Sequence, residues 1–282
     1  MDLPRLDAYA RGLDAAGVWS VWAGPVAGDA WLAVDADAQH YAASTMKLPL
    51  VMTAYRLADE GRLDLDSSVE IRNEFASVHD GSAFGLDRDD DGDAETWARM
   101  GQPATLRWLS SRSIVRSGNL ATNLLLDAVG AAPVRDLLDD LGCERTTFVR
   151  GIEDCVARDA GTQNLATAAD LARMLQAVWA GAHETPATPG VLAPAAAQEV
   201  LEVLAGQEIA DALPRRLPPG TTVAHKSGWV DGVDHDAGIV FHPDGGPYVF
   251  AMCTTSALPR AQAADVVATA SRAAWDDVSD AA

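Results

Sequence analysis

Apolar residues recur at helical spacing at the start of the chain and at strand spacing soon afterwards. Within residues 3–15, Leu3 and Leu6 belong to an apolar stripe that falls on one side of a helix. Two apolar runs follow, at 18–24 and 30–37, and the Pro- and Gly-containing stretch between them is typical of a turn. These residues therefore predict a helix followed by a β-hairpin.

The middle of the chain is dominated by helical periodicity. A helix is predicted to begin near Ser44 and to end at Gly61. Residues 64–103 are polar and irregular, and they contain an acidic run at 87–95. Helical periodicity then returns in five segments. They span 104–115, 119–129, 132–141, 165–180 and 194–206.

The last part of the chain returns to strands. Apolar runs at 221–229, 237–243 and 248–255 are separated by Gly-rich turns, and a helical pattern over 260–277 follows them. Because strands lie near both termini, we expect one antiparallel sheet formed from the two ends of the chain. The pattern predicts an α/β fold of the α+β type, with flanking helices and an inserted all-helical subdomain.

The expected domain organisation is discontinuous. Residues 1–43 and 207–282 are predicted to form the subdomain that contains the sheet, and residues 44–206 the helical subdomain. The stretch at 143–164 has no clear periodicity and is predicted to be an omega-like loop within the helical subdomain. A chain of 282 residues is long enough for this fold to bury a sizeable core.

Composition disfavours several classes of partner. Asp and Glu outnumber Lys and Arg by 41 to 21, and the net charge of −20 disfavours nucleic acids and anionic membranes. No apolar run is long enough to span a membrane, and the first residues lack the apolar segment of a secretory signal. We therefore expect a cytoplasmic monomer that acts on a small molecule; a secreted or periplasmic location would require that a leader had been removed.

The two lysines of the chain are candidates for chemistry. Only Lys47 and Lys226 are lysines, and the other cations are arginines. Arginine keeps its charge, whereas a desolvated lysine can lose its proton and act as a base. Ser44 lies one helical turn before Lys47, so both side chains face the same side and the amine can activate the hydroxyl.

Two further short motifs carry polar side chains. Ser-Gly-Asn at 117–119 precedes a helix, and Lys-Ser-Gly at 226–228 lies in an apolar strand, where an unpaired lysine is costly. With Ser-x-x-Lys at 44–47, they follow the order S-x-x-K, S-D-N and K-T-G of class A β-lactamases and penicillin-binding proteins. Over nearly its whole length, the sequence resembles a class A β-lactamase of the penicillin-recognising serine hydrolase superfamily.

The resemblance implies a role for each matching residue. Ser44 would attack an amide carbonyl and become acylated, and Lys47 would accept or relay its proton. Ser117 would pass a proton to the departing nitrogen. The backbone N–H groups of Ser44 and Trp229 would form the oxyanion hole. The substrate would be bound by Asn119, Lys226, Ser227, Gly228 and Trp229.

The resemblance also implies a catalytic role for Glu153 in deacylation. Class A enzymes activate the attacking water with a glutamate of the omega loop, in the pattern E-x-x-L-N. Glu153 lies in the corresponding loop, but Val156 and Ala157 stand where Leu and Asn would be. The asparagine that helps to hold the water is therefore missing, and Asn164 is a candidate to stabilise the loop in another way.

Two other positions depart from the family pattern. Gly118 replaces the aspartate of S-D-N, which has a mainly structural role in the family. No arginine follows residues 226–228 closely, where family members often use one to bind the substrate carboxylate. Arg215 and Arg216 are candidates to replace it.

The acidic run imitates the first half of a calcium-binding loop. Asp87, Asp89, Asp91 and Gly92 fit D-x-D-x-D-G, but Ala98 stands where the bidentate glutamate is required. We therefore interpret the run as a solvated acidic insertion, and we expect neither a metal nor a cofactor.

Three functions remain open. The leading hypothesis is hydrolysis of a β-lactam through an acyl-enzyme. A related amidase or esterase, or a D,D-peptidase-like penicillin-binding enzyme with slow deacylation, is favoured by the incomplete E-x-x-L-N pattern and the missing leader. The third is a non-catalytic binding protein on the same scaffold, against which the intact Ser44, Lys47, Ser117 and Lys226 argue.

Overall fold

The structure of the protein, a computed structural model, describes residues 1–13, 17–183 and 191–282. The helices of these residues are α1 (Pro4–Arg11), α2 (Lys47–Asp59), α3 (Ala94–Ala98), α4 (Leu106–Val115), α5 (Asn119–Val129), α6 (Ala131–Asp140), α7 (Cys155–Asp159), α8 (Ala168–Ala182), α9 (Pro194–Ala205) and α10 (Arg260–Ala281). The strands are β1 (Val18–Pro25), β2 (Leu32–Val34), β3 (His40–Tyr41), β4 (Ser68–Glu70), β5 (Phe75–Ala76), β6 (Ala83–Phe84), β7 (Pro103–Thr105), β8 (Leu165–Ala166), β9 (Val223–Val230), β10 (Val233–His242) and β11 (Gly246–Thr255).

Strands from both ends of the chain form one five-stranded sheet, in the order β2-β1-β11-β10-β9. All neighbours are antiparallel, and β1 from the start of the chain pairs along its whole length with β11 from the end. The predicted fold class is therefore confirmed. Strand β9 lies at an edge, so one side of its backbone is free to contact something other than a strand.

Side-chain alternation along the strands separates two apolar layers. In β1, Val21 and Ala23 face α1 and α10, whereas Trp22 faces the helices that are inserted between β3 and β9. In β11, Phe250 points to the first layer and Ala251 to the second. This period of two places helices on both faces of the sheet.

Helix α2 is the centre of the inserted helices. It contacts α4, α5, α6, α8 and α9, and its apolar residues are buried almost all the way round. Because its first turn also contains Lys47, the buried helix places that amine inside the protein rather than on its surface.

Several predicted bounds differ from the structure. The helix expected over 3–15 ends at Arg11, and residues 14–16 lie outside the described residues. The strand expected over 30–37 is shortened to Leu32–Val34. The irregular segment 64–103 contains α3 and short strands, and the loop 143–164 contains α7. Strands of two or three residues are defined by their partners, as in the pairing of β4 with β7, and such segments carry too few residues to show a period.

The expected division into subdomains at 43/44 and 206/207 stays a prediction. The short strands β3 and β8 pair across the first of these boundaries. None of the helices in the described residues is both long enough and apolar enough to cross a bilayer.

Candidate active site

Ser44 lies in a 3-10 turn between β3 and α2, rather than in an α-helix as the periodicity predicts. The turn spans Ala43–Met46, and Ala43 has a φ of 45°, in the left-handed region that non-glycine residues seldom adopt. The N–H and the hydroxyl of Thr45 both donate to the carbonyl oxygen of Ala42, which fixes the turn. Ser44 is left half-buried at the entrance to the buried helix.

The edge strand β9 packs directly on this turn. A Cβ atom on Gly228 would lie 2.8 Å from the backbone nitrogens of both Ser44 and Thr45. Real Cβ atoms do not approach other atoms so closely, so the contact between strand and turn requires glycine at this position. The Lys-Ser-Gly strand and the Ser-x-x-Lys turn are therefore neighbours, as the candidate site requires.

Lys47 is fully buried, and its amine contacts the Ser-Gly-Asn motif. Its Nζ lies within hydrogen-bond distance of the Ser117 carbonyl oxygen (2.6 Å), the Ser117 hydroxyl (3.2 Å) and Asn119 Oδ1 (2.8 Å). Ser117 has a φ of 53°, so a second non-glycine residue of the site lies in the left-handed region. The sequence predicts a contact between this amine and Ser44, but none of the hydrogen bonds of the described residues joins the two. All of the hydrogen-bond partners of the amine there belong to the Ser-Gly-Asn motif.

Lys226 reaches the same hydroxyl from the other side. Its Nζ donates to Ser117 Oγ (3.1 Å), to the side-chain oxygen of Gln207 (3.1 Å) and to the carbonyl oxygen of Ser227 (2.6 Å). Only 1% of Lys226 is exposed. The hydroxyl of Ser117 thus lies between the amines of the only two lysines of the chain.

Burial dominates the electrostatics of both amines. It lowers the pKa of Lys47 well below its ordinary value, and the nearby charge of Lys226 lowers it further, while Asp91, Asp93 and Glu153 oppose the shift. Burial also lowers the pKa of Lys226, to about 7. The lowered pKa makes the Lys47 amine easier to deprotonate than an exposed lysine, which suits it to accept a proton.

This geometry agrees with the comparison to protein families. The sequence model of the beta-lactamase enzyme family matches residues 5–278 of the chain. The chain belongs to this family. The extended-spectrum β-lactamase PER-1 of Pseudomonas aeruginosa is 26% identical to it over 227 residues, which cover 74% of this chain and 65% of that protein. The chain thus matches just under two thirds of the length of this relative.

Solved structures of β-lactamases and of PBP-A share the fold. A β-lactamase from Sphaerobacter thermophilus superposes with a TM-score of 0.82 at 24% identity, covering 99% of this chain and 98% of the other. PBP-A superposes with a TM-score of 0.80 at 22% identity, covering 98% and 96%. A PBP-A mutant, with a TM-score of 0.78 at 23% identity and coverage of 98% and 95%, was solved as an acyl-enzyme complex with penicillin G.

Glu153 departs from the E-x-x-L-N pattern in sequence, and its carboxylate contacts the backbone of the acidic run. It has a φ of 59°, and its Oε2 accepts a hydrogen bond from the backbone N–H of Asp87 (2.7 Å). Burial raises the pKa of Glu153, and the carboxylates of Asp90, Asp87 and Asp91 raise it further against the opposing Asp87 N–H. In the described part of the chain, no hydrogen bond joins Glu153 to Lys47. Its carboxylate is instead directed towards the acidic run.

Two asparagines stabilise the loop that carries Glu153. The Oδ1 atom of Asn164 accepts from the N–H groups of Val149 (2.8 Å) and Arg150 (3.1 Å), so Asn164 does hold the loop, as the sequence indicated. Asn123 on α5 pairs through its amide with both backbone groups of Ile152, at 2.9 Å each. Ile152 immediately precedes Glu153, so this pair limits where the glutamate can lie.

Trp229 forms the rim of the site, and an arginine from the far end of the chain covers it. Trp229 is 47% exposed, and Cζ of Arg260 lies 4.0 Å from its ring centroid, in the geometry of a cation–π contact. Arg215 and Arg216, the sequence-based candidates, form ion pairs with Asp265 on α10. Arg260 is therefore the arginine that the fold brings to the end of the 226–228 strand.

Three contributors to the site escape sequence reasoning. Gln207 contacts Lys226 but follows a helix with no local pattern that marks it. Arg260 begins α10 and is separated from Trp229 by the strands β10 and β11. Asn123 is the one with a usable indication, because it is a polar residue inside the apolar pattern of α5.

Proposed function

We propose that this member of the beta-lactamase enzyme family hydrolyses the amide bond of a β-lactam through an acyl-enzyme on Ser44. The observation that carries the proposal is the position of the Ser117 hydroxyl. Its oxygen lies 3.2 Å from Nζ of Lys47 and 3.1 Å from Nζ of Lys226. Two buried amines that flank one hydroxyl can transfer protons to it and accept protons from it. A serine that only caps a helix would not require two such amines.

Acylation is proposed to proceed by a closed proton path. The Ser44 oxygen attacks the carbonyl carbon while its proton passes to the neutral amine of Lys47. That amine then gives a proton to the hydroxyl of Ser117, which it contacts, and Ser117 gives its own proton to the departing ring nitrogen. The C–N bond breaks, the Ser44 ester forms, and Lys47 is neutral again.

The edge of the sheet is proposed to bind the substrate. Among the described residues, strand β9 has no strand neighbour on its outer side, so its backbone there can hydrogen-bond to a substrate laid along it. The N–H groups of Ser44 and Trp229 are proposed to hold the oxyanion. Lys226 and Ser227 would attract the substrate carboxylate, with Arg260 at the end of the strand, and Asn119 would bind the amide of the substrate side chain.

Deacylation is proposed to use Glu153 as the general base for water. Its raised pKa suits this role because a base works best when its pKa is near the working pH. A second candidate function, that of a D,D-peptidase-like penicillin-binding enzyme, is favoured by the contact of the Glu153 carboxylate with Asp87 and by the absence of the asparagine of E-x-x-L-N. Both observations weaken the hold on the attacking water.

Nitrocefin hydrolysis and intact mass after incubation with benzylpenicillin test the proposal together. A β-lactamase is expected to turn over nitrocefin many times and to show little persistent adduct. A long-lived adduct of one penicillin per chain without turnover would support the second function. Neither adduct nor turnover would contradict both and would favour the non-catalytic binding protein.

The substitution Glu153→Gln is expected to separate the two halves of the reaction. Acylation continues, but the ester hydrolyses about 100-fold more slowly because the amide cannot take the proton of water. The benzylpenicillin adduct should then accumulate in the mass spectrum. Glu144→Gln, at an exposed site near the start of the same loop, is the control and should match the wild type. Equal deacylation in Glu153→Gln and the wild type would exclude Glu153 as the base.

The substitution Gly228→Ala is expected to damage the Ser44 turn. The new Cβ would lie 2.8 Å from two backbone nitrogens, so strand or turn must move, and a displacement of this kind costs about 100-fold in acylation rate. Gly206→Ala is the control, since its Cβ would have its nearest neighbour at 3.4 Å, an ordinary contact. Benzylpenicillin acylation rates that are equal in the two variants would show that the turn tolerates the shift.

A further inference from the structure

The acidic run, interpreted from sequence as a solvated insertion, lies against the candidate active site. It forms a 3-10 turn over Arg88–Asp90 and leads into α3. The carboxylate of Asp91 points inwards to the start of α5, next to the Ser-Gly-Asn motif. The run therefore has a position in the site that its composition does not predict.

Asp91 makes four hydrogen bonds, and all four partners are donors. Its Oδ1 accepts from the N–H groups of Asp93 and Asn119, each at 3.0 Å. Its Oδ2 accepts from the N–H of Leu120 and from the indole N–H of Trp97, each at 2.9 Å. The carboxylate thus caps the first turn of α5, where N–H groups lack partners within the helix and the helix dipole favours negative charge.

The same run fixes the rotamer of Asn119. Besides the backbone contact with Asp91, the amide Nδ2 of Asn119 donates to the carbonyl oxygen of Asp90 (3.2 Å). With Nδ2 held there, the opposite atom, Oδ1, faces Nζ of Lys47 at 2.8 Å. The orientation of a proposed substrate-binding residue thus depends on two consecutive acidic residues.

Asp93 fills the space beside Gly118. A Cβ on Gly118 would lie 2.9 Å from both Cβ and Oδ2 of Asp93. Gly118 has a φ of −61°, which any residue adopts, so the neighbouring carboxylate and not the backbone excludes a side chain there. Asp93 is fully buried, forms an ion pair with Arg112 and accepts from the hydroxyl of Thr96 (2.5 Å).

We propose that Asp91 and Asp93 are positioning residues of the active site, supplying from the acidic run the support that a side chain at position 118 would otherwise give to Ser117 and Asn119. Only the effect of this support on acylation rests on the proposed function. Glycine at 118 then leaves room for the buried side chain of Asp93, which lies in a different segment of the chain.

The electrostatics of Lys47 agree with this arrangement. The charged groups that act on its amine are Lys226, which lowers its pKa, and Asp91, Asp93 and Glu153, which raise it. Among the carboxylates, the two of the acidic run act most strongly. Loss of Asp91 should therefore both release Asn119 and lower the pKa of Lys47 further.

The first test compares Asp91→Asn with Asp89→Asn. Both remove one charge, but the amide at 91 must turn its NH₂ towards two donors, whereas Asp89 is exposed. Acylation by benzylpenicillin, followed by intact mass, should slow about 100-fold in Asp91→Asn. It should stay within about twofold of wild type in Asp89→Asn. Equal rates in the two variants would overturn the proposal.

The second test moves the carboxylate. Gly118→Asp alone should slow acylation because it clashes with both Cβ and the carboxylate of Asp93. Asp93→Gly, which removes both, should by itself slow acylation because Arg112 loses its partner. The double variant restores one carboxylate in the same space and should acylate at least about tenfold faster than either single variant. A double variant as slow as the slower single one would contradict the proposal.

Two measurements that do not depend on acylation test the positioning role even if the proposed function is wrong. If the wild type is not acylated by benzylpenicillin, the proposed function fails, and the urea unfolding midpoints of the same four proteins decide the positioning role. The double variant should then unfold at a higher urea concentration than either single variant. A crystal structure of Asp91→Asn should show Asn119 displaced from Lys47; an unchanged contact would overturn the proposal.

Discussion

Replacing Ser44 with alanine is expected to abolish the benzylpenicillin adduct and to lower nitrocefin turnover by about 10⁵-fold. The Ser44 oxygen is the only protein atom of the proposed mechanism that becomes bonded to the substrate, so no neighbouring group can take over its role. The fold should be unaffected, because Ser44 is half-buried in a turn whose hydrogen bonds come from Thr45. Intact mass, turnover and the thermal unfolding midpoint give the three readouts.

The control for this variant is Ser68→Ala, which removes a hydroxyl from the exposed first residue of β4. It should keep both the adduct and the turnover. An adduct of unchanged mass in Ser44→Ala would place the nucleophile elsewhere, and peptide mapping of that adduct would then identify the acylated residue.

Replacing Lys47 with methionine is expected to slow acylation by about 1,000-fold while the protein remains folded. General base catalysis contributes factors of about 10² to 10⁴, and the thioether cannot accept a proton. The fully buried Lys47 amine is costly to desolvate, and methionine fills a similar volume without that cost. The free energy of unfolding in urea should therefore be equal to or higher than that of the wild type.

The pH dependence of the acylation rate tests whether Lys47 acts as the base. Lys47 acts as a base only when neutral, so the wild-type rate should rise as pH increases through the folded pKa of Lys47. Because burial lowers that pKa, this rise should lie well below pH 10.5, the ordinary pKa of lysine. Lys47→Arg should show no such rise, because a guanidinium stays protonated. A wild-type rate that rises only near pH 10.5 would contradict a lowered pKa.

The buried amines also explain why the site needs so many partners. Two buried ammonium groups would be expensive to desolvate, and a buried amine is tolerated only when its N–H groups are hydrogen-bonded and its charge is offset or lost. Lys226 has oxygen acceptors on Ser117, Gln207 and Ser227, and Lys47 has acceptors on Ser117 and Asn119. The groups that we propose to transfer protons and the hydrogen-bond network that stabilises the buried amines are thus the same set of atoms.

The amino-acid sequence by itself determined the elements with strong periodicity and the local motifs. Apolar runs bounded by turns near both ends of the chain predicted the antiparallel sheet, and helical spacing predicted the central helices, because both signals come from neighbouring residues. The Ser-x-x-Lys, Ser-Gly-Asn and Lys-Ser-Gly motifs, at 44–47, 117–119 and 226–228, contained the hydroxyl and both amines that the fold brings together.

Only the tertiary structure decided which distant residues complete the site. Gln207 reaches Lys226 and Arg260 covers Trp229 because helices pack on the sheet, and no local pattern records that packing. Asp93 occupies the space beside Gly118, so an apparent loss in a motif is compensated by a residue from another segment. Periodicity and motifs report the surroundings of a residue along the chain, whereas buried polar groups find their partners through space, wherever the fold places an acceptor within about 3 Å.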